Sequence, residues 1–118
     1  MSFVKNNSKI SQGEIYWANL NPVKGHEQSG YRPVLVLQNN ILNRNLNTVV
    51  IAPITKNLQA KGLLTTFYIA KKYSGLNFDS IALLYQLRTI DRKRIGNKVG
   101  VLTGEEMRDV KNQLLAVF

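Results

Sequence analysis

The sequence predicts a small, mainly β barrel finished by one C-terminal helix, and three observations carry that prediction. Short runs rich in β-branched and aromatic residues recur from Gly13 onward, broken by Gly, Pro and Asn clusters at barrel-like spacing. Only the last stretch repeats apolar residues at helical spacing. The 118 residues, 44% of them hydrophobic, suit one core, since folding at this length buries roughly two-thirds of the surface the unfolded chain exposes.

In chain order, residues 1–12 are polar, with Lys5, Asn6, Asn7, Ser8 and Lys9 in a row, and read as a flexible arm; 13–118 read as a single domain. Strands are predicted over Glu14–Leu20, Pro33–Gln38, Thr48–Ile54, Thr65–Ile69, Ser80–Tyr85 and Lys98–Leu102. Pro33 can open its strand but not occupy the middle of one. Val34–Leu37 and Val49–Ala52 are continuously apolar rather than alternating, so both of their faces should be covered, one against the barrel and the other against a partner. Asn39–Asn47, with five asparagines around Arg44, reads as a polar loop. A short helical turn is expected over Asp91–Arg94. The terminal helix opens with Thr103 and Glu106 in capping-box spacing, after which Met107, Val110, Leu114 and Val117 form one apolar stripe for the core.

Charge and composition exclude several function classes. The chain carries 16 Lys+Arg against 7 Asp+Glu, a net charge of +9, which attracts polyanions, nucleic acid first among them, or else serves solubility alone. It has no cysteine and one histidine, so disulfides, thiolate nucleophiles and His-rich zinc sites are excluded. No apolar run approaches the roughly 20 residues of a membrane span, and the first residues lack a signal-peptide core, so a cytoplasmic protein is expected. Arg88, Arg92, Lys93, Arg94 and Lys98 cluster, and Lys56, Lys61, Lys71 and Lys72 lie between the middle strands. Trp17, Tyr31, Phe67, Tyr68, Tyr73 and Tyr85 interleave with them, as on a surface that stacks unpaired bases, although rings of this kind also fill cores.

The stretch with the densest chemistry is Gly25-His26-Glu27-Gln28-Ser29-Gly30-Tyr31-Arg32-Pro33. Arg32, where this loop enters a strand, can clamp two phosphate oxygens with its planar fork or pair with Glu27 or Asp79. Thr55 ends the run Val49–Ile54 as a hydroxyl donor for a phosphoryl oxygen, or simply as a β-former. Glu27 can accept a proton and His26 can exchange one near neutral pH.

Gly13–Pro22, Gly25–Val36, Pro53-Ile54-Thr55 and Gln86–Asp91 together resemble the MazF/PemK toxin family, and the likeness spans nearly the whole domain. The resemblance implies a small SH3-like barrel, shared with the CcdB-like toxins, acting as the toxin of a toxin–antitoxin pair. It further implies a homodimeric, sequence-specific endoribonuclease that cuts single-stranded mRNA without metal or other cofactor. Carried over to matching positions, Arg32 and Thr55 become the catalytic pair, while Glu27, Gln28 and their loop close over RNA. Attack by the RNA 2′-hydroxyl on its own phosphate then asks Arg32 and Thr55 to stabilise the phosphorane, Glu27 to act as base, and His26 as a weaker candidate acid. His26, Gln28, Tyr31, Lys56, Tyr85, Gln86 and Arg88 are the expected RNA-binding residues.

The chain departs from the family at Tyr85, where many relatives carry an acidic residue just before Gln86. That removes an acidic base from this position: either Glu27 or a hydroxyl-bound water substitutes, or Tyr85 serves in base stacking and target choice. Two rival readings are a gyrase-poisoning toxin of the same fold and a non-catalytic RNA-binding barrel. The first uses a tryptophan near the C-terminus, whereas the one Trp here is Trp17; the second does not need Arg32 and Thr55 together. An acidic antitoxin segment, ordering across the basic groove and covering Arg32, is the expected protein partner.

Overall fold

The computed structural model describes residues 10–21 and 30–118. Seven strands among them build one antiparallel sheet: β1 (Glu14–Asn19), β2 (Tyr31–Val36), β3 (Thr48–Thr55), β4 (Thr66–Ile69), β5 (Ser80–Leu83), β6 (Arg88–Asp91) and β7 (Ile95–Val101). The order is β4-β5-β3-β2-β1-β7, with β6 also on β3. β3 organises the sheet because its eight residues are long enough for two partners along one edge. β6 takes Thr48–Ile51, β5 takes Ile54 and Thr55, and β2 occupies the opposite edge. The strands wrap barrel-fashion around this spine, and the outer strands β4 and β7 do not pair with each other.

The unbroken apolar runs of β2 and β3 are covered on both faces, as expected, but by the chain itself. On one face Ile15, Leu35, Leu37, Ala52, Ile54 and Ala82 pack with Met107 and Val110 of the C-terminal helix. On the other, Val34, Val36, Val49 and Ile51 pack with Ile10, Tyr16, Ala18, Leu20 and Ile90. Alternation along each strand sends neighbours to opposite clusters.

The C-terminal helix (Gly104–Leu114) starts where expected. Thr103 Oγ1 accepts Glu106 N–H at 3.0 Å, and Glu106 Oε1 accepts Thr103 N–H at 2.8 Å. Buried Met107 and Val110 each contribute about 1.5–3 kcal/mol to docking it. Val117 does not extend the stripe; it lies in a 3-10 turn after the helix has ended. Among the described residues no helix is long and apolar enough to cross a membrane.

Pro33 does not open its strand as expected: β2 begins two residues earlier at Tyr31, and Pro33 pairs with Trp17 inside it. Other segments differ as well. The Asn39–Asn47 stretch is a helix over Asn40–Asn45, because Asn39 Oδ1 caps Leu42 N–H at 2.9 Å and buried Asn43 exchanges side-chain hydrogen bonds with Gln38. Arg92, counted in the basic cluster, is buried beneath that helix and donates to the carbonyl oxygens of Asn43 and Leu46. Burial pushes its guanidinium pKa down, and it is not a surface cation. β6 has no apolar run to announce it, yet it completes the edge of β3; the turn after it is the 3-10 segment Arg92–Arg94, capped by Asp91. Ile10, Ser11 and Gln12, the end of the expected arm, are held. Ile10 is 3% exposed, Gln12 donates its Nε2–H to Leu37 O at 2.8 Å, and Asn40 Oδ1 accepts Gln12 N–H at 2.7 Å. Residues 1–9 lie outside the described residues.

Glu14 ties this N-terminal segment to β7. Its carboxylate accepts from Ser11 N–H, Tyr16 hydroxyl and Lys98 ammonium, each at 2.7 Å. Burial alone would raise its pKa; the Lys98, Tyr16 and Ser11 donors outweigh that and hold it below the ordinary glutamate value. The folded state therefore binds this proton less tightly than the unfolded chain. The stabilisation is full above the unfolded value of about 4.3 and is lost as pH falls through the lower folded value. Glu14→Gln should cost about 1–3 kcal/mol at pH 7, with the difference from wild type shrinking toward acid; urea unfolding at a series of pH values measures both.

Candidate functional site

The site begins with a proline. Leu37 N–H donates to Val50 O at 3.0 Å, and the β2–β3 ladder continues through Val36–Ile51, Leu35–Ala52 and Val34–Pro53. Every second residue of an antiparallel strand turns its N–H toward a given neighbour, so after Leu37 and Leu35 the next donor toward β3 would be Pro33. Proline has none, and pairing stops. From there the start of β2 stays paired with β1 alone, while the end of β3 is paired with β5. The two strands part, and Arg32 and Thr55 occupy corresponding positions two residues beyond Val34 and Pro53, on the face of Val36 and Ile51.

Both catalytic candidates are half-buried at these parted ends. Burial pushes the Arg32 guanidinium pKa below its ordinary value. The Thr55 hydroxyl oxygen accepts Asn57 N–H at 3.1 Å, which fixes its rotamer and leaves its own proton to donate. Of the alternative partners for Arg32, Asp79 is engaged by Lys71 N–H at 2.9 Å and by the Tyr68 hydroxyl. Glu27, His26 and Gln28 lie outside the described residues.

The other expected residues divide into two groups. Tyr31, 61% exposed, stacks on Trp17 with centroids 5.4 Å apart and planes 9° apart. Lys56 follows Thr55, its ammonium 4.7 Å from the Phe78 ring centroid. These two flank Arg32 and Thr55. Arg88 opens β6 opposite Ile51, so it shares the Arg32 face, and its Nη2 donates to Leu20 O at 3.2 Å. Tyr85 and Gln86 lie in the 3-10 turn Leu84–Gln86 between β5 and β6; Tyr85 is half-exposed. The remaining basic cluster is partly engaged: Lys98 pairs with Glu14, and Arg94 donates to the Asn19 and Asn21 carbonyl oxygens.

A cavity of about 290 Å³ fills the opened rung, bounded by Trp17, Pro33, Ile54, Leu76 and Phe78, with Arg32, Tyr31 and Lys56 also lining it. The short helix Lys71–Ser74 and the turn after it bring Leu76 and Phe78 there. That turn lies against β7 backbone to backbone. Gly75 has φ +86°, a Cβ on it would stand 2.1 Å from Val99 O, and one on Gly100 would stand 1.8 Å from Ser74 O. Phe78 was absent from the sequence expectations: no periodicity marks it, and this backbone approach is what places it.

Comparison with known proteins gives a consistent picture. A sequence model of the family described as PemK-like, MazF-like toxin of type II toxin-antitoxin systems matches residues 11–118. Endoribonuclease EndoA of Bacillus subtilis is 44% identical over 105 residues, covering 89% of this chain and 90% of the relative. The crystal structure of MazF from Deinococcus radiodurans matches with a TM-score of 0.76 at 26% identity, covering 92% of this chain and 94% of that one. A MazE-MazF crystal structure from the same organism matches at 0.72 and 25% identity, with the same coverage.

Gly75→Ala must force a positive φ on an L side chain and push the turn off β7. It should lower stability by about 2–4 kcal/mol in urea unfolding, whereas Gly62→Ala, at a similar φ but with open space around its Cβ, should cost about half of that or less.

Proposed function

The chain belongs to the PemK-like, MazF-like toxin family of type II toxin–antitoxin systems, and from that premise we propose that it is a sequence-specific endoribonuclease acting on single-stranded RNA without a metal ion. The observation that supports this reading is the placement of Arg32 and Thr55 at corresponding positions on the parted ends of β2 and β3, beside a cavity lined by Arg32 and Lys56. The relative named an endoribonuclease supports the reaction class.

In the proposed reaction the 2′-oxygen attacks the adjacent phosphorus, the P–O2′ bond forms and the P–O5′ bond breaks. One group must take the 2′ proton and another must protonate the leaving 5′-oxygen. A guanidinium is a poor base but a good clamp for the extra negative charge of the phosphorane, so Arg32 stabilises. Thr55, its oxygen already accepting Asn57 N–H, donates to a non-bridging oxygen. Glu27 is the candidate base and His26 the candidate acid. Gln28, Tyr31, Lys56, Tyr85, Gln86 and Arg88 hold the strand around the cut, with Tyr85, placed where many relatives are acidic, offering an exposed ring for stacking.

We further propose that the active form is a homodimer and that an acidic antitoxin segment inhibits it by covering Arg32. The net charge of +9 favours such a partner, and the solved MazE-MazF complex is a relative's example of toxin–antitoxin pairing.

End-labelled, mostly unstructured RNA incubated in excess EDTA should give discrete bands with wild type. Arg32→Ala should slow them about 10²–10³-fold, the cost of removing one transition-state donor. Uncut RNA with folded wild-type protein would reject the reading. Glu27→Gln should abolish the acidic limb of the kcat/KM profile against pH; an unchanged profile would remove Glu27 from the role of base.

A further inference from the structure

We propose that the cavity between the Trp17–Tyr31 stack and Phe78 is a nucleobase subsite, which takes one unpaired base of the strand whose phosphate lies at Arg32 and selects that base through Asn77. The inference rests on the RNA-directed reading above and adds to it a place and a residue for sequence choice.

Four features point to this occupant. The volume of about 290 Å³ falls just below the roughly 300–1,000 Å³ typical of small-molecule pockets, which suits one planar heterocycle rather than a folded peptide. Its walls are ring faces and aliphatic surface, from Trp17, Tyr31, Phe78, Pro33 and Ile54, and Tyr31 and Phe78 are both more than half exposed. Exposed rings of this kind offer a stacking surface to an unpaired base. The mouth is cationic: Arg32 lines it, and the Lys56 ammonium rests over Phe78. A ligand with a flat aromatic part and an anionic part matches that division, and a nucleotide has both. Finally, exposed Asn77 brings a side-chain amide to the lining, one donor group and one acceptor on the same plane, the combination that reads a base edge. Ser80 is less free to do so, since its hydroxyl donates to Phe78 O at 2.7 Å.

The geometry also explains how one strand could reach both places. Arg32 and Thr55 face one side of the sheet and the cavity floor faces the other, but the rung between Pro33 and Ile54 is open, so the two meet at the strand ends.

Trp17 is the one tryptophan of the chain, so its fluorescence reports on the cavity directly. The probes are 2′-O-methyl oligonucleotides of A, C, G-containing and U sequence, which lack the attacking hydroxyl, with inorganic polyphosphate as a base-free polyanion. At least one oligonucleotide should quench Trp17 saturably and polyphosphate should not. Phe78→Ala, an exposed position that leaves the core intact, should weaken binding about 5–150-fold, as loss of one stacked base does. Asn77→Ala should change the ranking among bases while leaving the Phe78-dependent quenching in place. Equal quenching by polyphosphate, or Phe78→Ala binding as tightly as wild type, would overturn the subsite.

Cleavage of a long RNA with mapped ends, run in parallel, separates the two claims. Wild type and Phe78→Ala cutting at the same positions with the same KM would sink the subsite and leave the nuclease reading standing. No cutting by wild type would sink the nuclease reading, and the titration would then decide alone: Phe78-dependent quenching supports the subsite, and its absence overturns it.

Discussion

A missing hydrogen-bond donor organises the candidate site of this protein. The next rung of antiparallel pairing between β2 and β3, past Val34–Pro53, would exchange two N–H···O bonds, and Pro33 cannot donate its half. The strands separate there because β1 keeps the start of β2 and β5 keeps the end of β3. A closed ladder would have sealed Pro33 against Ile54. An open one leaves a cavity between them and sets Arg32 and Thr55 at its edge. The rest of the sheet holds this gap in place, with two cores gripping β2 and β3 from both sides and the C-terminal helix closing one of them.

Charge is distributed more selectively than the count of +9 suggests. Arg92 is spent on the Asn40–Asn45 helix, Lys98 on Glu14, and Arg94 on the end of β1. The cations lining the cavity are Arg32 and Lys56, one placed by a strand that cannot continue and the other by the residue that ends its neighbour. That division links the fold to the chemistry: Arg92, Arg94 and Lys98 hold the scaffold, while Arg32 and Lys56 face the cavity.

How much could be read beforehand depended on whether the signal was local. The terminal helix was legible because Thr103, Glu106, Met107 and Val110 carry cap and stripe within one short segment. The central strands were legible because runs such as Val34–Leu37 have no polar face to give away. Arg32 and Thr55 were legible as candidates through the family likeness; the place of Pro33 was not, since it sits inside β2, paired with Trp17 on one side, and its missing donor falls on the side of β3. The helix at Asn40–Asn45 was not, since the partners that steady it, Gln38 and Arg92, act from outside the helix, and Arg92 comes from a distant part of the chain. Nor was β6, whose Arg88 and Asp91 hide its single buried residue, Ile90, nor Phe78, which reaches the cavity only because Gly75 and Gly100 let two backbones touch.

A double-mutant cycle on RNA cleavage asks whether Arg32 and Thr55 serve one phosphoryl group together. If both act on the same transition state, the Arg32→Ala, Thr55→Ala double variant should be scarcely slower than Arg32→Ala alone, because residues that work as a unit are far from additive. If the two losses multiply as those of independent sites do, the parted strand ends do not form a single catalytic centre, and the account built on them is wrong.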